Sequence, residues 1–166
     1  MYRKILTPID LSEPDMIQKG VAAALEIAKI EKAQLRLVNV QPLLPLAFVD
    51  YVPADLDAQR HEKLRAELAK AAEGIDYSRE LVSTALRFGA IYSEVLAEAE
   101  AWGADLIVVG SHRPSMSTCL LGSNASTIVR HAKCSVLVAR MRRARSRAKG
   151  WRATRRESGR CFLIHK

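Results

Sequence analysis

Between Ala104 and Arg140 the chain reads ADLIVVGSHRPSMSTCLLGSNASTIVRHAKCSVLVAR, and this stretch limits the possible folds more than any other. Leu106–Val109 is a short apolar, β-branched run with Asp105 before it and Gly110 after it. Such a run suits a strand covered on both faces. Ser135–Ala139 is a second run of the same kind. Between them, from Ser123 to His131, Ala125, Ile128 and Val129 recur at helical spacing, and Ala132 extends the stripe. Strand, loop, helix and strand in that order form a parallel crossover unit.

The rest of the chain repeats the alternation. Arg3–Pro8, Gln34–Val40 and Leu81–Phe88 have strand character. Glu13–Ile30 carries an apolar stripe of Met16, Ile17, Val21, Ala24, Leu25 and Ala28. Asp55–Gly74 carries Leu56, Leu64, Leu68 and Ala71, with Gly74 placed to end the helix. Ile91–Trp102 turns Val95, Leu96 and Ala99 inward, and Trp102 reads as a packing residue. Strands alternating with helices predict an α/β fold, a doubly wound five-stranded parallel sheet with helices on both faces. Gln41–Ala54 is rich in proline and apolar residues and reads either as a lid or as a loop packed on the domain.

Charge divides the chain of 166 residues into two parts. Residues 1–140 hold 16 Lys and Arg against 17 Asp and Glu, whereas residues 141–166 hold 10 against one. The overall charge of +8 therefore belongs to the tail, and the domain offers no basic footprint for nucleic acid. The tail reads as disordered; its other reading is a basic arm for nucleic acid or acidic lipid, with Trp151 for stacking. No apolar run reaches a membrane-span length. Cys119, Cys134 and Cys161 lack metal-type spacing and suit free thiols in a reducing cytoplasm.

Candidate chemistry gathers at the ends of the strands. Open α/β sheets bind ligands in crevices at the carboxyl ends of their strands. Asp10 follows the first strand and is placed either to accept from a ribose or base, or to cap the next helix. Ser12–Asp15 fits a capping box better. Gly122-Ser123 opens the last helix, whose N-terminal N–H groups and dipole favour an anion. Ser123 and Asn124 add side-chain donors there or serve as the cap. His112 and Arg113 are placed to face the same anion. His61, His112, His131 and His165 are scattered, and neither a nucleophile elbow nor a GxxxxGK[ST] loop occurs. The motifs of hydrolases and P-loop enzymes are thus missing.

Gly110-Ser111-His112-Arg113, eight residues, then Gly122-Ser123 resembles the nucleotide-binding loop of the universal stress protein family. ATP-binding members of that family carry Gly, two residues, Gly, nine residues, Gly, and Ser or Thr. This chain has Arg113 at the second Gly position and one residue fewer before Gly122. The GSHRP and LLGSNAS runs are similar to the F and G type branch, and the likeness extends over residues 1–140. It implies an adenine nucleotide alpha hydrolase-like, Rossmann-like sheet of strand order 3-2-1-4-5. It further implies ATP as ligand, held by Pro8, Ile9, Asp10, Val40, Gly110, Ser111, His112, Gly122, Ser123 and Asn124. Arg113 joins them on charge complementarity. Magnesium can accompany the phosphates without dedicated protein ligands. The resemblance also implies a homodimer through Ser135–Ala139, whose edge would otherwise lie exposed, and at most slow ATP hydrolysis or autophosphorylation. A stress-related interaction protein of the same fold that binds no nucleotide is the other reading.

Overall fold

Each of the five apolar runs forms a parallel strand. They are β1 (Lys4–Pro8), β2 (Gln34–Gln41), β3 (Val82–Phe88), β4 (Leu106–Ser111) and β5 (Ser135–Arg140). Four helices connect them: α1 (Pro14–Glu31), α2 (Ala54–Glu73), α3 (Ile91–Trp102) and α4 (Ser123–His131). The computed structural model describes residues 1–12, 14–43, 54–111, 122–140 and 162–164. The parallel strands lie in the expected order 3-2-1-4-5.

Both faces of the central strands are buried, and the period-2 alternation of side chains divides the core in two. Ile5, Leu35, Leu37, Leu106 and Val108 pack under α1 and α2 with Val21, Ala24, Ala28 and Leu68. Leu6, Val38, Ile107, Val109 and Val136 pack under α3 and α4 with Val95, Ala99, Ala125 and Ile128. Side chains of this size each contribute about 1.5–3 kcal/mol when fully buried. The near-continuous apolar runs of β1 and β4 follow directly, because neither face of these strands meets water.

One buried charge ties α3 to the sheet. Glu98 is 4% exposed. Its Oε1 accepts from Arg36 Nη1 at 2.8 Å, and its Oε2 accepts from Arg87 Nε at 2.7 Å. Arg36 also donates to Ser83 Oγ, and its guanidinium lies 4.4 Å from the centre of the Trp102 ring. Trp102 is thus the packing residue expected from the sequence, and it additionally shields a salt bridge. At the far end of α3, Gly103 takes the left-handed conformation (φ 72°) that ends the helix.

One element at the C-terminal part adds to the expected sheet. Phe162–Ile164, read from the sequence as part of a disordered tail, form a sixth strand, β6. It pairs antiparallel with β5 in the register Val136–Ile164, Leu137–Leu163 and Val138–Phe162. Along β5 this pairing covers Val136–Val138. Backbone N–H and C=O groups on an edge strand seek partners, and a short apolar segment of the same chain supplies them.

Replacing Glu98 with Ala leaves two arginines facing a carboxylate-sized gap. The expected loss is about 2–4 kcal/mol in denaturant unfolding, at the lower end of the range for broken buried pairs because both arginines keep some solvent contact. A change below about 0.5 kcal/mol would show the bridge to be dispensable.

Candidate functional site

The site grows out of a feature of the ladder. β1 pairs with β2 from Lys4–Gln34 to Pro8–Val38, and the Ile9 N–H extends the contact to Val38 O at 2.9 Å. With β4, β1 pairs only through Ile5–Leu106 and Leu6–Ile107 among the described residues. Beyond these pairs the carboxyl ends of β1 and β4 part, and their helical crossovers leave toward opposite faces of the sheet. That is the crevice an open α/β sheet offers to a ligand.

Pro8 ends β1 and Ile9 follows it, nearly buried. Asp10 is exposed, and its Oδ1 accepts from the Ser12 N–H at 2.9 Å and from the Ser12 hydroxyl at 2.6 Å. This is an Asx turn. Asp10 therefore shapes the turn into α1, and the Ser12 hydroxyl donates its proton to Asp10. Val40 lies in the last part of β2, partly buried against the core.

Asn39 and Gln41 complete this side, and the sequence reading passed over both. Asn39 is 1% exposed; its Nδ2 donates to Ile9 O at 2.9 Å, and its Oδ1 accepts from Gln41 Nε2 at 2.8 Å. The peptide immediately before Asp10 is thereby fixed to β2. The signal was present in QLRLVNV, where one amide interrupts an apolar run. A buried amide must be hydrogen-bonded, but a sequence does not reveal to what.

On the other side, Gly110 and Ser111 end β4, with Gly110 opposite Ala139 of β5. His112 and Arg113 lie outside the described residues. α4 begins at Gly122, its N-cap, with φ −56° and ψ 151°. Neither Ser123 nor Asn124 is the cap: both fall within the first turn and are exposed. The cap has no side-chain hydrogen bond, and no acidic residue stands in the first turn. The dipole at this end thus has no carboxylate of its own, while Arg130 and His131 balance the opposite end. The Thr127 hydroxyl donates to Ser123 O at 2.9 Å, which secures the first turn. Since the Gly122 backbone is one any residue can adopt, what glycine offers here is close approach.

Among the described residues no group of three or more His, Cys, Asp and Glu is placed to hold a metal. Burial pushes the Cys134 thiol above its ordinary value, with Asp105 adding to the effect. A raised pKa keeps that thiol protonated and a poor nucleophile. The described part of the crevice offers hydrogen-bond donors and a helix dipole for holding an anion.

Replacing Asn39 with Leu leaves Ile9 O and the Gln41 amide without their partner. The expected cost is about 1–3 kcal/mol in chemical denaturation; an unchanged midpoint would mean that the turn does not depend on this amide.

Comparison with known proteins finds similarity over most of the chain. The family model described as universal stress protein family matches residues 1–140. Universal stress protein G of Shigella flexneri is 36% identical over 147 residues, spanning 84% of this chain and 100% of that protein. Among solved structures, the universal stress protein UspA of Lactobacillus plantarum superposes with a TM-score of 0.61 at 26% identity, covering 84% of this chain and 98% of that one. A universal stress protein in complex with cAMP superposes with a TM-score of 0.60 at 24% identity, covering 82% and 96%.

Proposed function

This chain belongs to the universal stress protein family, and we propose that it is an ATP-binding regulatory module of the stress response. The observation that carries this reading is the start of α4: a glycine cap without a side-chain bond, with no acidic residue in the turn behind it. A phosphate chain supplies what that end lacks, namely acceptors for its N–H groups and negative charge for its dipole. At a helix terminus such an interaction contributes about 0.3–2 kcal/mol.

In this reading the adenine lies against Val40 and the end of β1, between Pro8 and Asp10. Asp10 contacts ribose or base while its Oδ1 holds the Ser12 turn. Gly110 and Ser111 let the ribose and first phosphate pass between β4 and β1. Gly122, Ser123 and Asn124 then hold the phosphates, joined by His112 and by the guanidinium of Arg113. The donors fit a polyphosphate, being N–H, hydroxyl and amide groups with no carboxylate in the first turn of α4. Magnesium would travel with the phosphates, bound mainly by them and by water. The complex of a related fold with cAMP supports an adenine nucleotide as the ligand class. Cytoplasmic location and slow turnover belong to the same proposal.

The second reading is an interaction protein of the same fold that binds no nucleotide. Arg113 at the second Gly position of the loop, and the one residue missing before Gly122, favour it.

Gly122→Val separates the two. The backbone at φ −56° and ψ 151° suits valine, so the fold is expected to persist. The added side chain should cut ATP affinity at least about tenfold, or about 1.4 kcal/mol, in isothermal titration. Equal affinity in both proteins would place the phosphates elsewhere. An absence of nucleotide after gentle purification, with no binding of millimolar Mg-ATP by the unaltered chain, would establish the second reading.

A further inference from the structure

The two faces of the sheet are covered differently. On one face α3 and α4 pack directly against each other; on the other, α1 and α2 scarcely meet among the described residues. Each is anchored to the sheet instead, α1 over β1 and β4 and α2 mainly over β3. Two helices that share a sheet face without touching leave a seam between them. Here the seam holds a cavity of about 670 Å³, within the range of about 300–1,000 Å³ typical of small-molecule sites.

The walls of this cavity are mainly apolar. Leu11, Val21 and Leu25 come from the α1 side, Ala71 and Ile75 from the α2 side. Val21 belongs to the core, while the other four are only partly buried against it, so the seam keeps apolar surface that a ligand would remove from water. From Glu67 through Gly74 the α2 wall runs about 10 Å at the helical rise per residue, a length that suits an extended chain. Past Gly74 the two sides are joined by the Lys29 Nζ–Asp76 Oδ2 pair at 2.7 Å and by the Tyr77 hydroxyl, 2.9 Å from both Ala28 O and Ala33 O. Charge at the rim then selects the headgroup. Asp76 is neutralised by Lys29, and Glu67 has Lys63 at 3.9 Å. Lys70, which also lines the seam, is exposed and has no ionic partner among the described residues. It sits in the last turn of α2, where the helix dipole is negative, so a headgroup of one negative charge suits it better than a phosphate of two.

We propose that the seam between α1 and α2 binds a free, single-chain aliphatic carboxylate, with its chain between Leu25 and Ile75 and its carboxylate on Lys70 Nζ. The site lies on the sheet face covered by α1 and α2 and does not rest on nucleotide binding. The chain supplies the apolar contact that the splayed helices do not give each other, and the ammonium fixes which end of the ligand faces water.

The test is titration calorimetry of the full chain, without nucleotide, with decanoate and with decanol as its uncharged match. One decanoate per chain is expected, bound more tightly than decanol. Lys70→Met should weaken decanoate about three- to fivefold, the scale of an exposed ion pair, and leave decanol unchanged. Lys70→Arg keeps the charge and should keep the affinity. Ala22 lines the seam and is exposed, so Ala22→Trp fills it from the outside and should weaken both ligands at least about tenfold. A thermal melt of each variant checks the fold; if Ala22→Trp does not fold, the two Lys70 variants, at an exposed helix position, decide alone. An unaltered chain that shows no saturable binding of decanoate would overturn the proposal, as would binding that a folded Ala22→Trp leaves unchanged. Decanol bound as tightly as decanoate, with Lys70→Met affecting neither, would overturn the assignment of the carboxylate to Lys70.

Discussion

The position of β1 between β2 and β4 is the constraint on which the rest of the molecule depends. Ile5 and Leu6 are both fully buried and point to opposite faces, so each of the two core halves is anchored on the same short strand. The chain leaves β1 for α1 on one face and returns through α3 to β4 on the other. Two neighbouring parallel strands whose crossovers diverge must part at their carboxyl ends. The crevice is thus a consequence of topology, and the residues that line it are those the chain reaches just after each strand ends.

Within that crevice the two sides are built by different means. On the β1 side a chain of side-chain bonds, Gln41 to Asn39 to Ile9 O, holds the backbone while Asp10 and Ser12 close the turn. On the α4 side the preparation is electrostatic, with no acid in the first turn and basic residues in the last. The first arrangement costs little, since the buried Asn39 amide is hydrogen-bonded through both its Nδ2 and its Oδ1. The second leaves the first turn of α4 without a carboxylate of its own, and a helix end in that condition favours an anion. Away from the crevice, Glu98 with Arg36 and Arg87 holds α3 against β2 and β3, so the outer half of the sheet does not depend on apolar packing alone.

The two edges of the sheet are managed differently. β3 is bounded by a 3₁₀ turn, Arg79–Leu81, and by Gly89, whose N–H donates to Gln41 O. Gly89 has φ 147°, and a Cβ there would lie 2.9 Å from Glu94 Oε1, so this corner accepts only glycine without rearrangement. β5 is met by β6 instead. Family membership covers residues 1–140, and β6 lies beyond that range.

Much of the architecture was legible in the sequence because hydrophobic period reports burial directly. LIVV and SVLVA were best read as strands covered on both faces, and much of the helix stripes fell where the core placed them, as with Val21, Ala24 and Ala28, whereas Leu56, expected on the buried face of α2, is exposed. Glycines at 110 and 122 marked the ends of β4 and the start of α4 for the same local reason, that they punctuate regular structure. Tertiary structure alone decided the matters that depend on distant partners. Asn39 needed Ile9 thirty residues away, and Glu98 needed arginines from two strands. That Asp10 Oδ1 accepts from the Ser12 N–H and hydroxyl was likewise visible only in the structure. β6 was invisible because three apolar residues in a basic tail carry no period; only an unpaired strand edge gives them a structure. Local pattern determined which elements form, and the pairing of polar groups across the sequence determined how their ends are held.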